Sequence, residues 1–370
     1  MKYALMLGVA VLGVAFGFWP SLRERKPLWW RWFAIFCVTA TVVLALLPPI
    51  GGTLADVIIA TRADSTKVVP FYCVPMQLKD YHQIQNGSDE LVLVDARNPG
   101  MHAYSLESPQ FEQVLRSHLG MSIIVNVRSS RSDQVVRVDD QEIVAVNPLI
   151  TLPYIMGLEE RARIIFFHVP MAWIAFIAYL IAMVFGIKYL RNRSLADDAM
   201  SASAASVGTL FTILATLSGA VWAKFNWGEY WNWDPRQTTI FLLLLVYAAY
   251  FVLRSAMNDE HLKARLSSVY SIIAFVTVPF LIFILPRLAP GLHPGSSDDT
   301  SIGPLLSTKS DAINLTKQLV FLLSLFSFTL VFFWLMNLRY RTLTLERSMN
   351  VVQDPTVNSV RESSVNPEKS

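Results

Sequence analysis

The sequence predicts an all-α polytopic membrane protein of about seven transmembrane helices, with a small extracytoplasmic domain of the α+β or β kind inserted between two of them. Three observations predict it. Only 16% of the 370 residues are charged and 53% are apolar, whereas a soluble domain carries about 25% charge. Seven stretches without Asp, Glu, Lys or Arg approach or exceed the roughly 20 residues a membrane-crossing helix needs. The interval between the second and third of these holds 14 of the 28 acidic residues. A net charge of +3 is too small to describe a nucleic-acid-binding surface. Cys37 and Cys73 are the two cysteines, and they form neither a zinc spacing nor a disulfide framework.

The predicted spans are Tyr3–Trp19, Trp32–Ile50, Ile164–Ile187, Ala199–Ala223, Gln237–Leu253, Leu266–Pro286 and Gln318–Leu338. The first differs from a secretory signal because its basic residues follow the apolar core (Arg23, Arg25, Lys26) and only Lys2 precedes it. The fourth is rich in Ser, Ala, Thr and Gly, which suits close helix packing inside a bundle. Loops 20–31, 188–198 and 254–265 and the stretch 337–347 carry 13 Lys and Arg, against five in the alternate loops 224–236 and 286–317. The positive-inside rule puts the first set in the cytoplasm, the N-terminus outside and the C-terminus inside.

Residues 1–50 therefore read as two helices with a basic cytoplasmic loop, and residues 51–160 as an acidic extracytoplasmic insertion. Within it, Leu91–Val94, Ser122–Val127, Gln134–Val138 and Glu142–Val146 read as strands and Phe111–Leu119 as a helix. Cys73 lies there alone and reads as a buried cysteine, with a partner-paired thiol as the alternative. Residues 161–340 form the main membrane domain. The polar tail 341–370, with Pro355 and Pro367, reads as disordered.

Four of the ten tryptophans fall between Trp222 and Trp233. The segment Trp227-Gly228-Glu229-Tyr230-Trp231-Asn232-Trp233-Asp234-Pro235-Arg236 joins the fourth and fifth spans on the outer face. One or two tryptophans there would be an interfacial belt. Three in seven residues exceed what anchoring needs, and Gly228 permits close backbone approach. Such a strip offers a flat aromatic platform for a planar ligand.

The same topology brings two histidines to the outer side, His168 in Phe166-Phe167-His168-Val169-Pro170 and His293 in Pro290-Gly291-Leu292-His293-Pro294-Gly295. Ionisable groups bordering spans are functional candidates, since their burial is costly. Taken singly, His168 is equally a hydrogen-bonding residue between helices and His293 a loop residue. With the strip between them, two imidazoles suit the axial positions of an iron macrocycle. Zinc would want more ligands at closer spacing; His82, His102 and His118 lie in the insertion and His261 in a cytoplasmic loop.

The string Trp227-Gly228-x-x-Trp231-x-Trp233-Asp234-x-Arg236, with Phe167-His168-Val169-Pro170 before it and Leu292-His293-Pro294-Gly295 after it, resembles the tryptophan-rich signature and flanking histidines of haem exporter protein C. That is one branch of the CcsA-type cytochrome c assembly proteins. The resemblance covers about residues 160–340, with the second span completing a six-helix core and the first span an addition. It implies haem b as ligand, His168 and His293 as axial ligands of the iron, and Trp227, Gly228, Trp231, Trp233, Asp234 and Arg236 as the surrounding site. It implies a bacterial inner-membrane protein that delivers haem to a haem chaperone or apocytochrome c, with ABC-transporter subunits as partners and no catalytic residue of its own. Propionate partners would come from Arg163, Arg236 and Arg287. The first span and the insertion depart from the family pattern. Two other readings compete: a haem lyase attaching haem directly to apocytochrome, and a non-haem permease with merely interfacial tryptophans.

Overall fold

The computed structural model describes residues 2–46, 52–64, 66–81, 89–96, 100–105, 109–132, 135–146, 159–293, 296–297 and 315–353. The chain divides into two compact units, one of residues 1–38, 167–299 and 324–370 and the other of residues 39–166 and 300–323. It opens with α1 (Lys2–Phe18) and α2 (Leu28–Leu46). Among the described residues, six helices are long and apolar enough to cross a membrane: Leu28–Leu46, Arg163–Asn192, Leu195–Trp227, Pro235–Ser255, Glu260–Leu288 and Gln318–Met349. The chain is a polytopic membrane protein. Helix α1, expected as a seventh span, is apolar but has 17 residues. At 1.5 Å per residue that is about 25 Å, short of the hydrocarbon thickness of about 30 Å.

In the second unit, α3 (Leu54–Ala63) precedes β1 (Val69–Gln77), α4 (Leu78–Tyr81), β2 (Leu91–Asp95), β3 (His102–Ser105), α5 (Pro109–Arg116), β4 (Ile123–Ser132) and β5 (Val135–Val146). The strands close into a barrel in the order β1-β2-β3-β5-β4. Only β3 and β5 pair in parallel. Alternate residues Phe71 and Cys73, Leu91 and Leu93, and Ile123, Val125 and Val127 point into one core with Leu54, Val57 and Leu115, as the two-residue period of a strand requires. Cys73 is buried there and forms no disulfide. Buried Asp95 accepts from the Leu54 N–H at 2.7 Å, and Thr53 and Asp56 form a capping box. These bonds fix α3 to β2.

Two of the expected strands, Gln134–Val138 and Glu142–Val146, fall within the single strand β5, whose pairing with β4 shifts register at Ile124/Val125 and Asn126/Val127. Bulges of this kind let one long strand bend without breaking; Gln134 lies outside the described residues. Strand β1 carries Pro70 and Pro75, which cannot donate to a ladder. Its first half pairs with β4 and its second half with β2, so neither proline lies between two paired strands.

The helical unit continues with α6 (His168–Asn192), α7 (Leu195–Trp227), α8 (Pro235–Ser255) and α9 (Glu260–Pro279). A π turn, Phe280–Ile284, passes α9 into α10 (Leu285–Leu288), and α11 spans Leu315–Gln353. Pro279 at the junction lacks the N–H the α ladder would use, and a π turn is one resolution of such a gap. Helix α11 continues to Gln353, so residues 341–353 of the expected disordered tail are helical, and 354–370 lie outside the described residues. Arg347 explains the extension: it bonds the Leu195 carbonyl, Asp198 and Glu260.

The small-residue helix α7 is buried from Asp197 to Phe211 at nearly every position. Ser201 donates to the Ala182 carbonyl of α6, but most of the other α7 hydroxyls are satisfied within the helix. Ser203, Ser206, Thr209, Thr212 and Thr216 each donate to the carbonyl four residues back. A hydroxyl that has donated still has lone pairs to offer, and the single Tyr179 proton of α6 is shared between those of Thr209, at 3.1 Å, and Thr212, at 3.0 Å. At Gly208 an added Cβ would stand 2.7 Å from Ala178 Cβ. Gly208→Leu should therefore cost about 1–3 kcal/mol by overpacking, read as a lowered midpoint of thermal unfolding in detergent.

Candidate functional site

His168 is the first residue of α6. Pro170 in the same turn costs nothing there, because first-turn N–H groups have no intrahelical acceptor. The imidazole lies against α7. Its Nδ1 is 3.1 Å from Ser218 Oγ, and a Cβ built on Gly219 would stand 2.9 Å from His168 Cε1. Only a glycine lets the ring approach that closely.

One turn beyond Ser218 on α7 is Trp222. Its ring centroid is 5.9 Å from that of His293, and Trp227 lies 6.4 Å from His293. Trp222 and Trp227 pack edge to face at 5.2 Å. Residues 218 and 222 are about 6 Å apart along a helix axis, so one face of α7 meets both histidine segments. Trp227 itself is the last residue of α7, not part of a loop as expected.

Gly228 ends α7 with φ +86° and donates its N–H to the Lys224 carbonyl. The strip that follows is tied to the start of α8. Gln237 accepts from the Asn232 N–H at 2.8 Å and donates to the Tyr230 carbonyl at 3.2 Å, and Thr238 donates to the Trp233 carbonyl at 3.1 Å. Trp231 and Trp233 pack edge to face at 5.8 Å and both meet Phe241. This is a second aromatic group beside the Trp222–Trp227–His293 group. Trp233 has φ +56°, uncommon for a non-glycine residue, and the residue is 66% exposed.

Asp234 links the strip to the second histidine. It is the N-cap of α8, with Oδ1 accepting from the Arg236 N–H at 2.9 Å. Its other oxygen accepts from the Leu292 N–H at 2.8 Å. Gly291 makes room, since a Cβ there would lie 2.7 Å from Asp234 Oδ2. The His293 carbonyl accepts from the N–H and hydroxyl of Ser296. The carboxylate is thus turned toward the protein's own backbone rather than outward.

Arg236 stands within electrostatic range of His168, Arg287 and Asp234. Arg163 belongs to the other unit and donates to the Ala45 carbonyl. Among the described residues, four buried polar atoms at and near His168 and the tryptophan strip have no hydrogen-bond partner: Trp173 Nε1, Trp222 Nε1, Asn232 Oδ1 and Arg236 Nε. Three are donors, which buried sites seldom leave unmet, and they suit an acidic ligand. With two imidazoles and indole faces, the set fits an iron macrocycle bearing carboxylates. Ser218, Gly219, Trp222 and Gly291 were not singled out from sequence. The i, i+4 spacing of Ser218 and Trp222, and the glycine two residues before His293, are the signals that could have found them.

Residues 143–354 match the family Heme exporter protein C. The chain is 32% identical over 121 residues to Heme exporter protein C of Bradyrhizobium diazoefficiens, across 33% of this chain and 46% of that one. It is 30% identical over 186 residues to Heme exporter protein C of Haemophilus influenzae, across 48% of this chain and 70% of that one. A third relative is Cytochrome c biogenesis protein CcsA of Pelargonium hortorum, 35% identical over 113 residues, or 30% of this chain and 35% of that one. The chain spans about half the length of several curated relatives it matches. A family match over more than half of the 370 residues, reinforced by these relatives, means that the chain belongs to the heme exporter protein C family.

Proposed function

We propose that this protein holds haem b at the outer face of a bacterial inner membrane and delivers it for cytochrome c maturation. His168 and His293 ligate the iron. Trp222, Trp227 and the strip to Trp233 pack the macrocycle, while Arg236 and Arg287 meet the propionates. Asp234 sets the position of His293. The N-terminus faces outward and the C-terminus the cytoplasm, and the barrel unit stands on the outer side. Haem is cargo in this reading, and the receiving partner is a haem chaperone or apocytochrome c, with ABC-transporter subunits associated.

The observation that carries the reading is the single face of α7 that meets His168 through Ser218 and Gly219 and His293 through Trp222. The unpartnered N–H groups of Trp222 and Arg236 support an acidic, planar ligand over plain interfacial anchoring. The full chain purified in detergent should carry low-spin haem with two nitrogen ligands. The double variant His168→Ala/His293→Ala should lose that spectrum; retention of bis-nitrogen low-spin haem by the double variant sinks the ligand assignment. Covalent haem attachment with apocytochrome alone, no chaperone present, would move the reading to a lyase.

A further inference from the structure

We propose that Ser218 is a positioning residue for His168, accepting the proton on Nδ1 so that Nε2 is left as the ligand nitrogen, with Gly219 as the floor on which the ring rests. The inference rests on the proposed ligation by His168 and deepens it.

A neutral imidazole carries one proton, on Nδ1 or on Nε2, and the partner of one nitrogen decides what the other can do. Ser218 Oγ lies 2.8 Å from the Leu214 carbonyl and 3.1 Å from the Ala215 carbonyl. Its single proton therefore points back along α7. What it presents to His168 Nδ1, 3.1 Å away, is a lone pair. The Ala215 carbonyl is a further acceptor beside the imidazole. Acceptors on this side hold the proton on Nδ1.

The same device operates two turns lower on the same pair of helices. There the hydroxyls of Thr209 and Thr212 have also donated to carbonyls four residues back, and the Tyr179 hydroxyl, a donor from α6, meets them. At Thr209, Thr212 and Ser218, helix α7 thus presents back-bonded hydroxyl oxygens to α6, whereas Ser201, farther down, donates to the Ala182 carbonyl. Ser218 is the outermost of the three. Back-bonding of this kind is the usual resolution for Ser and Thr within a helix, so the direction of the Ser218 proton follows from the helix itself.

Gly219 supplies the second constraint. The built Cβ position is 2.9 Å from Cε1, 3.4 Å from Nδ1 and 3.7 Å from Nε2. The ring meets the helix through Cε1, with the two nitrogens to either side of that contact. A methyl at 219 would displace the ring along the direction that breaks the Ser218 contact. Partners that orient a ligating histidine typically change metal affinity 10–100-fold when removed.

The test uses the full chain in detergent, stripped of haem and titrated with haem b, with affinity, low-spin fraction and midpoint potential as readouts. Ser218→Ala should weaken haem binding by about 10–100-fold and raise the midpoint potential, because an imidazole that loses one of its two Nδ1 acceptors gives less electron density to ferric iron. Ser218→Thr, which keeps the hydroxyl, should restore both. Gly219→Ala should reproduce the Ser218→Ala shift by moving the ring, and circular dichroism matching the parent establishes that each variant is folded. In a His168→Ala background, Ser218→Ala should have no further effect. If His168→Ala lowers the low-spin fraction while Ser218→Ala leaves affinity and potential at parent values, the positioning role is overturned and ligation stands. If His168→Ala itself retains parent haem binding, the ligand reading fails first.

Discussion

Asp198→Ala should destabilise the helical unit by about 3–5 kcal/mol, the scale seen when a buried ion pair loses one member. The Asp198 side chain is 1% exposed. It takes both terminal nitrogens of Arg254 at 2.7 and 3.0 Å and Nη2 of Arg347 at 2.5 Å. Arg347 also meets Glu260 Oε2 at 2.9 Å and the Leu195 carbonyl at 2.7 Å. One carboxylate thus joins α7, α8 and α11, and Arg347 extends the connection to α9. Removing it leaves two guanidinium groups facing each other with Glu260 as the remaining counter-charge. Asp197 is the internal control. Its partners Arg23 and Lys188 are 52% and 48% exposed and hydrate freely when released, so Asp197→Ala should cost less than about 1 kcal/mol. Unfolding of the two variants in mixed detergent micelles, followed by circular dichroism, makes the comparison. Equal midpoints for both would contradict the clamp.

Asp234→Ala should release the His293 segment and lower haem retention at least about tenfold. The substitution removes the N-cap of α8, worth about 1 kcal/mol, and leaves the Leu292 N–H without its acceptor, about 1–3 kcal/mol more. Asp234→Asn separates the two roles. Its carbonyl oxygen serves either the Arg236 N–H or the Leu292 N–H, and its amide repels whichever remains. Asn should therefore fall between Asp and Ala in stability but close to Ala in haem retention. Tryptic cleavage after Arg287, exposed just before this segment, should rise in both variants. A variant that keeps parent haem retention and parent cleavage would show that Asp234 does not set the position of His293.

Much of the helical unit was legible because its determinants are local. An uncharged apolar run of 20 residues has few alternatives, and clustered tryptophans announce themselves. Other features depend on partners far along the chain. The bond from Asp234 to Leu292 crosses 58 residues, and that from Ser218 to His168 crosses 50. Ser218 and Gly219 look in the sequence like two more small residues in a small-residue helix. Their meaning comes from the register of α6 on α7, which no periodicity encodes. In the barrel, β1 was hidden by Pro70 and Pro75, which normally argue against a strand. Strand β3 has four residues, too few for alternation to register. Helix α11 was underestimated because its polar end is held by Arg347 rather than by apolar burial.

A ring of five strands has a consequence for how the second unit meets other molecules. Every strand in the order β1-β2-β3-β5-β4 has a neighbour on both sides, but not along its whole length: β5 meets β3 only at Arg137 and Val138, so from Asp139 to Val146 its paired strand among the described residues is β4 alone. An incoming polypeptide finds no end strand to extend, and a place to lie down as a further strand exists only along such a one-sided stretch. Elsewhere recognition by this unit passes through side chains and the turns between strands. Those are the parts of a barrel that change without disturbing its closure, so what the unit recognises can be rewritten while its architecture stays the same.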